Sequence, residues 1–265
     1  MFFFGLLTLA LGLVFGSFLG AVTYRVPKGR SFTKGRSNCD SCKRDIVWYD
    51  NIPLISYLFL GGKCRFCKKK ISIRYPIIEF FTALTFLVVS FAPSFCTTYL
   101  QGQFVCEAYQ SFGIIYFPLF LFLSLILIGI FVVDYETHLI PDEFTFFGYV
   151  GFLFILFVTN NNLIFEHLFA GFFGAVLILL IHIVTKGRGM GLGDVKLALL
   201  IATIFGFPLF PVWLFLGFLT GGLCGIILIV AGKAKMKQEV AFGPFLIFAY
   251  LLTFLIGNKF INYFF

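Results

Sequence analysis

Long apolar runs broken by short polar stretches set the plan of this chain. Roughly eight runs read as membrane-spanning helices, over 3–24, 77–93, 114–133, 144–159, 163–185, 195–210, 212–231 and 243–257, where a span needs about 20 apolar residues. The shorter runs predict helices that begin late or sit partly inside the bundle. One long polar segment, 25–76, interrupts the pattern. The expected fold is an all-α polytopic membrane protein in three parts. A first transmembrane helix covers 1–24, a small cytoplasmic insertion 25–76, and a transmembrane region 77–265.

Composition agrees with that plan. The 265 residues are 60% hydrophobic and 12% charged, a balance that excludes an ordinary soluble domain. The chain shows no internal period of about 20–50 residues that would signal a solenoid. Its first run has no basic residues ahead of it and many behind, so it reads as a retained signal-anchor helix.

Charge orients the spans. Thirteen of the twenty Lys and Arg lie between Arg25 and Arg74, beside Asp40, Asp45 and Asp50. Lys186, Arg188 and Lys196 follow the fifth run, and Lys233, Lys235 and Lys237 the seventh. With eight spans all of these share one face, and only Lys259 lies on the other. That face is then cytoplasmic and both termini are outside. The net charge of +8 has a membrane explanation, and nucleic acid is not an expected partner.

Seven cysteines fall into three groups. Cys39 and Cys42, and Cys64 and Cys67, form two Cys-x-x-Cys pairs within the basic segment. Each pair can present two thiolates to one ion, and together they compose a tetrahedral four-cysteine zinc site with no open position for catalysis. A short polar segment builds little core, so a structural metal would supply much of its folding free energy. Disulfides are the competing reading, disfavoured in a reducing cytoplasm. Cys96 and Cys106 bracket an outside loop and are either a disulfide or two free thiols. Cys224 lies in a span as a small apolar packer.

Two acids stand out against the apolar background. Asp134 directly follows the uncharged run 114–133, and Asp194 lies in a glycine-rich loop, Gly191-Leu192-Gly193-Asp194-Val195-Lys196. A charged side chain at the bilayer centre costs roughly 2.5–3.5 kcal/mol on insertion scales, so acids at such positions are functional candidates. The topology delivers both to one face, where a pair could share a proton. Gly191 and Gly193 would let backbone or substrate approach Asp194, and Lys196 would neutralise charge or orient the loop. Taken alone, Asp134 also fits a helix-end acid facing water. Asp142 and Glu143 read as helix N-terminal caps, and Glu136 as solvated. Glu79 would cap its helix or pair with Arg74. His138, His167 and His182 form no metal-binding set.

These residues together resemble the bacterial type IV prepilin peptidases, membrane Gly-x-Gly-Asp aspartic proteases. Gly16-Ser17-Phe18-Leu19 with Tyr24-Arg25-Val26-Pro27 resembles the end of that family's first helix. Asp50 to Tyr57, and Cys64 through Pro76, resemble its cytoplasmic cysteine domain. Asp134 with Leu139-Ile140-Pro141-Asp142 resembles the first catalytic motif, Gly191 to Lys196 the second, and Phe242-Gly243-Pro244-Phe245 the start of the last span. Gly20 departs from the pattern, since the family commonly has asparagine there.

The resemblance implies cleavage of the basic leader of prepilins and pseudopilins at the cytoplasmic face of the bacterial inner membrane, with Asp134 and Asp194 catalytic. It also implies S-adenosylmethionine-dependent methylation of the new N-terminal residue, associated with the cysteine domain. The sequence shows no cofactor motif that would place the S-adenosylmethionine site. A peptidase without methyl transfer, a transporter using intramembrane acids, and a non-catalytic assembly protein are the other readings.

Overall fold

Apolar runs without competing polar groups fold as helices, because a backbone in lipid must satisfy its own hydrogen bonds. The computed structural model describes residues 2–29, 31, 37–39, 41–98, 116–158, 164–187, 189–232 and 241–264. Its helices are α1 (Phe2–Arg25), a short α2 (Ile55–Phe59), α3 (Arg74–Thr98), α4 (Tyr116–Thr137), α5 (Asp142–Val158), α6 (Ile164–Val184), α7 (Leu192–Val230) and α8 (Gly243–Phe264). Among the described residues four helical segments are long and apolar enough to cross a membrane: Phe3–Lys28, Phe117–Thr137, Ile164–Val184 and Leu209–Val230. This is a polytopic, all-helical membrane protein.

Small residues let the helices approach closely, as membrane helices do without a hydrophobic force between them. On α1, Gly12 and Gly16 face α3, where an added Cβ would come within 2.6 Å of the Ala83 Cα and 2.7 Å of the Glu79 Cα. The α6–α7 and α7–α8 pairs are also extensively packed, and α4 touches α1, α3, α5 and α8. Ile130, Phe152, Leu197, Trp213 and Leu246 form the buried centre of this bundle.

Helix α7 corrects one expected boundary. The runs 195–210 and 212–231 form one helical element, broken at Gly206 (φ 70°, ψ −176°) rather than near residue 211. Only glycine adopts that conformation at little cost, and Pro208 and Pro211 follow it. Three residues before the break, the Thr203 carbonyl lies 2.8 Å from His167 Nδ1. This buried histidine is a structural cap.

In the cysteine segment one local fold occurs twice. Isolated bridges Asn38–Asp45 and Lys63–Lys70 close the two Cys-x-x-Cys turns. Within each, the first cysteine's carbonyl accepts from Lys43 or Lys68, both with φ near +60° (59° and 56°). Cys106, and with it the question of a Cys96–Cys106 pairing, lies outside the described residues, as do Arg188, Lys233, Lys235 and Lys237.

Candidate active site and cysteine centre

Asp134 ends the long apolar face of α4 and is 4% exposed. Burial removes the reading of a water-facing helix-end acid. Its Oδ2 is buried and makes no hydrogen bond among the described residues. The N-terminus of α8 meets it: the Gly243 backbone N–H faces the Asp134 carboxylate, and any Cβ on Gly243 would overlap Oδ2.

Asp194 is also buried, at 7% exposed. It belongs to the first turn of α7, not to the preceding loop, because its Oδ2 accepts the Gly191 N–H at 2.9 Å and so caps the helix start. The incoming chain is fixed by His182 Nδ1, 2.6 Å from the Met190 carbonyl, and by the Gly189 N–H donating to Thr185 Oγ1 at 3.1 Å. Asp134 and Asp194 lie close enough to interact electrostatically, and His138 also interacts with Asp134. Each acid therefore faces a helix N-terminus, where orphan amides and the helix dipole favour negative charge.

The two glycines beside Asp194 do different things. A Cβ at Gly193 would press within 3.0 Å of Ile140 Cβ, so this glycine admits the loop that follows α4. Ile140 also lies 3.3 Å from the Cβ position of Gly243, placing one side chain between the two acid-bearing corners. Gly191 is not crowded; its contribution is the amide given to Asp194. Lys196 forms an ion pair with Asp142 across α7 and α5, and is not an evident partner of Asp194.

Arg74 and Glu79 also differ from expectation. Arg74 pairs with Glu136, which is therefore not simply solvated, and donates to the Gly20 carbonyl (3.0 Å) and Thr23 Oγ1 (2.9 Å). One guanidinium thus ties α3 to α1 and to the end of α4. Glu79 does not pair with it. Its Oε2 accepts the Leu54 N–H at 2.8 Å, joining a buried acid on α3 to the cysteine segment.

The four cysteines of the two turns converge. The sulfurs of Cys39, Cys42, Cys64 and Cys67 all lie within 4.8 Å of one another, and Cys39 and Cys67 are 3.8 Å apart. Zinc–sulfur bonds of about 2.3 Å in a tetrahedron put ligand sulfurs about 3.8 Å apart, so the set fits one zinc ion. The Cys42 backbone N–H pulls the Cys39 thiol down to about 6. Cys67 is lowered by the Lys69 N–H, but burial and the neighbouring thiols outweigh it and leave it pushed up to about 11. Arg65 of the second turn is anchored to the segment between the turns: it donates to both Asp50 oxygens at 2.7 and 2.6 Å, holding that carboxyl below its usual range.

A cavity of about 610 Å³ lies where the end of α1, the cysteine segment and the start of α3 meet. Sequence pattern could not reveal it, because its walls come from three separated stretches.

A helical membrane bundle that buries two neighbouring carboxylates at helix ends defines a paired-acid membrane protein. The comparisons with known proteins make the class particular. Residues 10–92 match the bacterial peptidase A24 N-terminal domain and residues 120–226 the type IV leader peptidase family. A prepilin leader peptidase/N-methyltransferase of Bacillus subtilis (strain 168) is 30% identical over 96% of this chain and 94% of its own length. Proteins of the same description from Vibrio cholerae (34% identical; 77% of this chain, 78% of the relative) and Neisseria gonorrhoeae (31%; 90% and 85%) agree. No solved structure matches the chain. The chain belongs to the type IV leader peptidase family.

Proposed function

We propose that this protein is a membrane aspartic peptidase that removes the basic leader from type IV prepilins and pseudopilins, and then N-methylates the new N-terminal residue. The observation that carries the peptidase reading is the buried pair Asp134 and Asp194 in a member of this family. The two acids share one proton. The ionised member takes a proton from the attacking water, while the protonated member hydrogen-bonds the scissile carbonyl. Two like charges that interact do not both ionise readily, so such a pair titrates as a unit. The Gly191 and Gly243 amides favour the charged member, and Gly193 seats Ile140 beside it.

The remaining parts follow from the same reading. Eight spans in the bacterial inner membrane, with α7 counted as two about Gly206, put both acids at the cytoplasmic face and both termini outside. The leader then reaches the acids from the cytoplasm while the substrate's apolar segment stays in lipid. Zinc held by Cys39, Cys42, Cys64 and Cys67 is structural, since four thiolates close its coordination shell. S-adenosylmethionine, when bound, supplies an electrophilic methyl group on a sulfonium. The cavity fits that group in kind: its walls offer aromatic, acidic and basic side chains for an adenine, an ammonium and a carboxylate. Its volume lies within the range of about 300–1,000 Å³ usual for small-molecule sites.

Purified protein incubated with a prepilin tests the whole reading by product mass. The expected result is a shortened chain without S-adenosylmethionine and the same chain plus one methyl group with it. An intact prepilin after incubation would overturn the peptidase assignment.

A further inference from the structure

Glu79 is a buried acid that leader cleavage does not use. It is 8% exposed, on α3, at the wall of the cavity between α1 and the cysteine segment. Its position is set by tight packing, since Gly16 of α1 rests against the Glu79 backbone. The Leu54 N–H and the Ser17 side chain hydrogen-bond its carboxylate. A carboxylate accepts at about four lone-pair sites, so these two bonds leave it able to accept from a further donor. Leu54, which donates to it, has φ 57°, a region that costs energy for any residue other than glycine. A buried carboxylate at a cavity wall, with acceptor capacity beyond these two bonds, suits a site that receives a cation.

The cavity around Glu79 has the matching chemistry. Tyr57 and Tyr75 supply aromatic surface, Lys70 a positive charge and Ser17 a hydroxyl. Neither Asp134 nor Asp194 lines it. The helices that frame it are nevertheless locked to the peptidase site through Arg74, which binds α1 and Glu136 on the helix carrying Asp134.

We infer that Glu79, at the wall of the cavity proposed above for S-adenosylmethionine, receives the amine freed by leader cleavage and acts as its base. The inference rests on the two-step reading above. The new N-terminus arrives as an ammonium ion and becomes a nucleophile only after losing one proton. The Glu79 carboxylate orients the ammonium and takes that proton. The amine lone pair then forms the nitrogen–carbon bond as the carbon–sulfur bond breaks. The electron pair of the broken bond stays on sulfur, leaving a neutral thioether and a methylated ammonium beside Glu79, which can return its proton to water.

The test uses full-length, zinc-loaded protein in detergent and three readouts: prepilin cleavage, equilibrium dialysis with labelled S-adenosylmethionine, and methyl transfer to a pre-cleaved substrate. Ala21→Trp fills the cavity from α1 and should weaken S-adenosylmethionine binding more than tenfold while cleavage stays within threefold of wild type. Glu79→Gln should bind S-adenosylmethionine within threefold of wild type, cleave normally, and lose at least a hundredfold in methyl transfer at neutral pH. That loss should shrink as pH rises above the α-amino pKa of about 8, where the amine is neutral unaided. A merely structural Glu79 would give a loss independent of pH. If Glu79→Gln fails to fold, Glu79→Asp and Ala21→Trp carry the test with the same readouts. Wild-type binding and transfer in Ala21→Trp, or a pH-independent loss in the Glu79 variants, overturns the assignment. A wild type that cleaves but binds no S-adenosylmethionine also overturns it, while the peptidase reading stands.

Discussion

Asp134 and Gly243 are in contact, so close that a methyl group on Gly243 would occupy the space of the Asp134 carboxylate. The contact explains why the last helix begins with Gly243-Pro244. Glycine admits the carboxylate, and proline early in a helix gives up an amide that has no partner there. The Gly243 N–H at the α8 N-terminus then faces an acid otherwise short of hydrogen bonds, while the Phe245 and Leu246 amides are taken by the Phe242 carbonyl.

Gly243→Ala should therefore disable cleavage without unfolding the bundle. The added Cβ must displace Asp134 or push α8 away, and a displacement of about 1 Å can cost on the order of a hundredfold in rate. Product formation by mass spectrometry, with zinc content and monodispersity as controls, checks this. Gly191→Ala, whose Cβ meets nothing closer than 3.7 Å, should retain most activity.

Replacing either acid should remove half of the acid–base pair. Asp134→Asn and Asp194→Asn should each lower turnover by about a hundred- to ten-thousandfold, the usual worth of such catalysis. The wild-type rate should be bell-shaped in pH, falling where both acids are ionised and where both are protonated. Wild-type turnover in either variant would remove the dyad from the mechanism. Glu143→Gln should change little.

Much of this was legible in the sequence, and the exceptions have physical reasons. Uninterrupted apolar runs announced every long helix, and the two Cys-x-x-Cys pairs announced their own convergence. Asp134 and Asp194 were conspicuous because lipid makes charge rare. The break at Gly206 was harder to place, because Pro211 is as strong a local signal and only the His167 cap on Thr203 shows where the helix opens. The partners of Arg74, Lys196 and Glu79 were hidden, since 62, 54 and 25 residues separate these pairs and local spacing says nothing about them. The cavity was invisible for the same reason.

Removal of the metal should act on the cysteine segment first. Wild-type protein should carry about one zinc per chain, and Cys39→Ser with Cys42→Ser should lose it, since two thiolates cannot close a four-ligand site. Elemental analysis and limited proteolysis of 25–76 are the measurements. Methyl transfer should fall before cleavage does, because the cavity wall includes Cys39 and Cys64 and the acid pair lies elsewhere.

Arg74 should matter more than its neighbours as a tie between helices. Arg74→Ala leaves Glu136 without its partner and frees the carbonyl of Gly20 and the hydroxyl of Thr23. Hydrogen bonds to charged groups contribute about 1.5–3 kcal/mol each, and the Arg74 side chain is largely shielded. A lower midpoint of thermal unfolding is expected, with a smaller effect from Glu136→Gln. Equal stability of Arg74→Ala and wild type would show that the tie carries no weight.

Gly20 offers the most direct test of how the cavity is tuned. Its Cβ position lies 3.3 Å from the Tyr75 ring, and Tyr75 lines the cavity. An asparagine there would nudge the ring by a few tenths of an ångström and bring an amide to the cavity edge. One new hydrogen bond is worth about 0.5–1.5 kcal/mol, so Gly20→Asn should tighten S-adenosylmethionine binding by roughly two- to tenfold. Cleavage should stay unchanged, because neither acid touches this corner. Gly20→Ala shifts Tyr75 without adding an amide and should bring no gain. If alanine and asparagine act alike, the position works through the ring alone, and the amide has no part in holding the methyl donor.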